Sequence, residues 1–164
     1  MSLLELVLIL ATLLCALTAG FVFAFTTVVM PGLARLGDKE FIRGFQVIDG
    51  VIQAGQPVFG LVWIGSAVAL LLSAVMGVLQ LDGIERAFVV GSALLYVVGV
   101  QVPTFRISVP LNNRLQTLDV DALDQNALAS ARRDFEARWV RWNAIRTVIA
   151  SLVSLALMFV LLWL

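Results

Sequence analysis

Residues able to do chemistry gather at two places in this chain. In the first, Gln46, Asp49, Gln53 and Gln56 recur at intervals of three, four and three residues, which is one face of a helix. A face turned to water usually carries lysine and glutamate. This one carries three glutamines and an aspartate, which suits a lined pocket. The same stripe is also compatible with a helix lying on a membrane, its polar side wet. In the second place, Asn143, Arg146 and Thr147 share a face at the mouth of an apolar run. A guanidinium there must snorkel to water or find a partner, and Asp49 is the carboxylate nominated for it. Gln101, Pro103 and Thr104 add polarity near the end of another apolar run, where the proline frees a carbonyl one turn earlier, near Gly99. These groups could surround a small polar pocket above an apolar one.

Composition narrows the chemistry. The chain has no histidine, so an axial-histidine haem or a two-histidine, one-carboxylate metal site cannot be built from it. Its one cysteine, Cys15, allows no internal disulfide and sits in an apolar stretch, as a small hydrophobe would. Eleven basic and eleven acidic residues leave no net charge, so nothing points to nucleic acid.

The elements that must position these groups belong in lipid. Hydrophobic residues make up 61% of the 164 and charged residues 13%, against roughly half and a quarter in soluble domains. About 20 apolar residues cross a bilayer, and four runs qualify, at about 4–30, 58–79, 87–105 and 147–164. The first reads as a retained span, because its apolar run is too long for a signal peptide and lacks a basic start. The expected fold is all-α: one integral membrane domain, a four-helix bundle running up-down-up-down, with a tight turn at Asp82-Gly83. Small residues at four-residue spacing (Ala16, Gly20 and Ala24; Gly65, Ala69, Ser73 and Gly77; and, two turns apart, Gly91 and Gly99) predict close helix packing.

Both long loops fall on one side and read as amphipathic helices. The first is expected over about 38–56, capped by Asp38, with Phe41, Phe45, Ile48 and Ile52 as its apolar stripe. The second is expected over about 124–146, running into the fourth span, with Arg132–Glu136 and Asp134–Arg138 pairs on a solvated face. Pro110-Leu111-Asn112-Asn113 reads as a helix end or turn. Trp139 and Trp142 mark the interface, where anchoring alone would explain them. Lysine and arginine concentrate in these loops, which predicts a cell-membrane protein with its loops cytoplasmic and both termini outside.

Several segments resemble a small family of bacterial and fungal membrane proteins. They are Gly20-Phe21-Val22-Phe23-Ala24-Phe25, Val29-Met30-Pro31-Gly32-Leu33, Phe41-Ile42 with Gln46 and Ile48-Asp49, Pro110-Leu111-Asn112-Asn113, and the run from Trp139 through Trp142, Asn143 and Arg146 to Thr147. The resemblance is to the anthrone-oxygenase-like group, whose pattern leads to asparagine where this chain has Asp49. It implies oxidation of an anthrone by molecular oxygen without a dissociable cofactor. That chemistry needs a base, donors for an enolate oxygen and an apolar slot. Asp49, Arg146 and Asn143 are the candidate catalytic residues, with Asp49 the base if burial raises its pKa. Gln46, Gln53, Gln101, Thr104, Asn112, Asn113, Trp139 and Trp142 are the candidate substrate-binding residues. No metal site is expected.

Two other classes remain open. A non-catalytic membrane subunit or lipophilic-ligand binder needs only the packing, anchors and amphipathic loops. A small proton-coupled transporter usually buries a charge at mid-membrane, and the middle of every span here lacks one. The expected partners are membrane lipid and a lipophilic aromatic molecule, with a protein partner or a second copy undecided.

Overall fold

A computed structural model describes residues 1–164. Four helices are long and apolar enough to cross a membrane: α1 (Leu3–Leu33), α3 (Pro57–Gln80), α4 (Gly83–Gln116) and α5 (Gln125–Trp163). A fifth, α2 (Asp38–Gln53), lies between the first two. Helix α1 packs against α3 and α5, and α4 packs against the same two, giving a square bundle in chain order. Its outward side chains are apolar, Leu13, Leu61, Val98 and Leu152 among them, as lipid requires.

Polar side chains inside the bundle satisfy themselves locally. Thr12, Thr18, Ser73 and Ser154 each donate to the carbonyl four residues earlier. Ser66 and Tyr96 share a hydrogen bond of 2.7 Å between α3 and α4. Small residues serve packing unevenly. A Cβ on Gly99 would lie 2.5 Å from Ile149 Cδ1, so α4 and α5 meet closely there. Gly20 and Gly91 have nothing within 4 Å of that position, and Gly20 and Ala24 are exposed. The small face of the first span thus turns outward at Gly20 and Ala24, and only Ala16 on it is half-buried.

Prolines shape this bundle more than they terminate it. The first apolar run ends near residue 30, just before Pro31, and Pro110 reads as a helix end, yet α1 continues to Leu33 and α4 to Gln116. A wide π-helical turn precedes each: Phe25–Val29 before Pro31, Val97–Gln101 before Pro103, and Thr104–Ser108 before Pro110. A proline ring clashes with the carbonyl four residues back. Those carbonyls belong to Thr27, Gly99 and Arg106, each inside one of the wide turns. The i→i+5 geometry lets the helix pass the proline instead of breaking.

Below the bundle, α2, the end of α4 and the first half of α5 form a cap with its own apolar core. Phe41, Phe45, Leu111, Leu115, Leu128 and Phe135 are buried there. Helix α5, at 39 residues, is roughly 58 Å long and serves both layers. The N-cap of α2 is Gly37, not Asp38; Asp38 instead meets Arg132 at 3.2 Å. The helix stops at Gln53 because Gly55 turns the chain with φ +83°. Arg132 pairs with Glu136 as the spacing predicts, but is not merely solvated. It donates to the carbonyls of Ala34 and Leu36 just past α1 and stacks 4.4 Å over Phe41. Asp134 and Arg138 form no ion pair, since the salt bridges of α5 run through Arg132 alone.

Candidate functional site

The bundle meets its cap at a cavity of about 170 Å³. Two of the three π-helical turns border it, contributing Phe25 from α1 and Thr104, Phe105 and Ser108 from α4. Such turns recur at functional sites because they re-aim side chains out of the regular helical register. Asp49, Asn112, Trp139, Asn143 and Arg146 complete its polar rim.

Arg146 is 4% exposed and has no carboxylate within 4 Å. It donates to Thr104 Oγ1 at 2.9 Å and to Asn143 Oδ1 at 2.9 Å. Its Nε has no partner, and neither has Ser108 Oγ. The guanidinium carbon lies 5.8 Å from the centre of the Trp139 ring. Burying a cation costs several kcal/mol unless an anion answers it. Here neutral oxygens and a ring face give only partial relief.

Asn143 holds that cation in place. Its amide nitrogen donates to Val22 O and Thr26 Oγ1, both at 2.8 Å. Val22 O, at the approach to the π-helical turn, also accepts from Thr26 Oγ1 at 3.0 Å, so three groups share one junction of α1 and α5. With both amide hydrogens used, Asn143 has none to offer a ligand and acts through Arg146.

Asp49 is equally buried, at 4% exposure, and engaged elsewhere. Asn112 donates to Oδ1 at 2.7 Å, while Gln53 and Gln116 donate to Oδ2 at 2.7 and 3.1 Å. A carboxylate offers about four lone-pair sites, so about one remains, on Oδ1. The ion pair nominated from sequence is absent: both side chains line the cavity, yet Asp49 binds amides and Arg146 binds neutral oxygens. Asn112 connects the two sides, because its Oδ1 accepts from Trp139 Nε1 at 2.8 Å.

The remaining candidates divide. Gln46 spans to Leu115 O and Leu118 O, which makes it a clasp between α2 and the end of α4. Gln53 joins that clasp through Asn113, which is exposed. Gln56 caps α3 by accepting from Phe59 N. Gln101 stands behind the wall, receiving Trp63 Nε1 at 3.1 Å, its own amide nitrogen unpartnered. Trp142 stays outside. It sits about 60° round α5 from Trp139, whereas Trp139, Asn143 and Arg146 share the cavity face.

Sequence reasoning missed Ser108, Gln116 and the aromatic wall of Phe21, Phe25, Phe45, Phe59 and Trp63. Phe25 and Phe45 meet Trp139 at 5.6 and 5.5 Å between centroids, and Phe59 stacks on Trp63 at 5.5 Å. An aromatic-walled slot with a cationic end results.

Comparison with protein families matches residues 49–157 to Anthrone oxygenase. The chain belongs to the anthrone oxygenase family. The match covers well over half the chain and takes in Asp49, Asn112, Trp139, Asn143 and Arg146. The α1 wall, Phe21 and Phe25, lies outside it. No curated protein and no solved structure matches this anthrone oxygenase family member.

Proposed function

We propose that this protein is an oxygenase that converts a lipophilic anthrone- or quinol-like aromatic to the quinone, using molecular oxygen and no dissociable cofactor. Family membership supports the class of reaction. The single observation that carries the reading is Arg146: a buried guanidinium with no carboxylate partner, at the end of an aromatic slot. It suits a ligand whose negative charge develops during reaction.

In this reading Asp49 Oδ1 takes a proton from the methylene beside the aromatic ketone. The resulting enolate oxygen sits against Arg146, positioned by Asn143 and Thr104. The enolate carbon forms a bond to oxygen, and protonation gives a hydroperoxide. Loss of the second carbon-bound hydrogen with cleavage of the O–O bond releases water and leaves a carbonyl. One methylene and one O₂ thus become one carbonyl and one H₂O. Phe25, Phe45 and Trp139 wall the ring system, and Asn112 fixes Asp49 relative to Trp139. The cap is assigned to the cytoplasmic face, a reading supported by its concentration of lysine and arginine.

The test is oxygen uptake by the detergent-purified protein given a hydroxylated anthrone. Quinone should appear with one O₂ consumed per turnover, well above buffer autoxidation. A rate equal to that of buffer, with the protein shown folded by circular dichroism, would remove the assignment.

A further inference from the structure

Beside the polar cavity runs a second, larger hollow of about 630 Å³ between α1, α2 and α3. The two share Phe21, Phe25, Ile52, Phe59 and Trp63, so one aromatic partition has the polar cavity on one side and this groove on the other. We propose that the groove is a lateral portal, through which the aromatic substrate passes between the bilayer and the polar cavity. This rests on the proposed function for the identity of the substrate and extends it to the route taken.

Four observations carry it. The first is size. Ligand pockets are typically 300–1,000 Å³, and 170 Å³ falls short of that range. A polycyclic ring must therefore reach past the partition into the groove. The second is the surface around the opening. Val47 and Val51 on α2 are 68% and 57% exposed, and Val58 at the start of α3 is 61% exposed. Helix α2 is clasped to α4 by its amides, so these valines form a separate outward face. An apolar face at the level where α1 and α3 are sheathed in lipid meets acyl chains. The third is closure on the other side. Gln46, Gln53 and Gln116 tie α2 to the end of α4 across the approach from the cap, so entry there would have to break hydrogen bonds. The fourth is how unequally the partition is anchored. Trp63 is pinned by its hydrogen bond to Gln101, whereas Phe21 and Phe59 are half-buried and held by ring contacts alone, 5.1 Å apart. Rotation of Phe59 away from Trp63 would join the two hollows with no hydrogen bond broken.

The experiment measures binding, not turnover, so that it answers for the portal separately from the oxygenase. A hydroxyanthraquinone is preloaded into phosphatidylcholine vesicles, mixed with vesicles holding the protein, and followed by quenching of tryptophan fluorescence. Val51→Trp crowds the groove from an exposed position that makes no hydrogen bond to the site. Val68→Trp adds the same bulk on a lipid-facing part of α3 that does not line the groove. The expected result is association and dissociation both slowed at least tenfold by Val51→Trp, and wild-type rates for Val68→Trp. Unchanged rates in Val51→Trp, equal slowing in both variants, or no binding by the wild type would each overturn the portal. Slowed binding without quinone formation would support the portal while removing the oxygenase.

Discussion

Asp49 and Arg146 line one cavity without forming an ion pair, and Asn112 and Trp139 stand between them. Trp139 donates to Asn112, Asn112 donates to Asp49, and the Trp139 ring lies beneath the guanidinium. Paired directly, the two charges would cancel, leaving neither a free acceptor nor an open cation. Separated, each keeps a face toward the space between them.

That separation makes the two residues distinguishable by pH. Asp49→Asn should abolish turnover of the keto form of an anthrone. Raising the pH until the substrate is already ionised should restore much of it, since no base is then needed. Arg146→Gln should stay impaired, by about 10²–10³-fold, at every pH, as for loss of one oxyanion donor. Rate–pH profiles of the two variants check this; parallel profiles would contradict the division of roles.

Asp49→Asn should also cost stability. Three amide donors converge on Asp49, and an asparagine there must turn an NH₂ toward at least one of them. An unsatisfied buried group costs about 1–3 kcal/mol. Thermal unfolding in detergent reads the loss, and Gln116→Leu added to Asp49→Asn should recover part of it.

Gly99 and Gly91 differ although both lie in α4. Gly99→Ala presses into Ile149 and should destabilise by about 1–3 kcal/mol, the usual range for overpacking. Gly91→Ala meets nothing and should be neutral or slightly stabilising. Unfolding midpoints of the two variants decide it.

In the cap, hydrogen bonds from Lys39 and Arg43 hold the Asp121 carboxyl below its usual range. A lowered folded-state pKa gives stability that is present above the unfolded value of about 3.9. It is lost as pH falls through the folded value. Wild type should therefore melt slightly higher than Asp121→Asn at pH 6, the difference closing below about pH 4. Because Asp121 is exposed, salt should shrink the difference.

The bundle was legible because exclusion of charge over some 20 residues has one cheap explanation, a bilayer. The continuous helix from Gln125 was legible for a similar reason: Leu128, Phe135, Trp142 and Ile149 fall seven apart, in register with the fourth span. The polar wall was not. Thr104, Ser108, Asn112 and Gln116 lie at four-residue intervals along α4, a stripe that would have pointed to the site. Taking Pro110 as a helix end cut that stripe in half. A single proline reads as a stop, and only packing against α5 shows that a wide turn carries the helix past it. Trp142 was misplaced because both tryptophans suit an interface, and side-chain direction on α5 separates them.

Central to this account is an uncompensated Arg146 that favours an anion in the cavity. Hydroxyanthraquinones change colour on ionisation, so a bound one reports its own charge. Titrated in complex with the wild-type protein, the ligand should ionise at least one pH unit lower than in complex with Arg146→Gln, a tenfold preference for the anion. The same ionisation pH in both complexes would contradict the account.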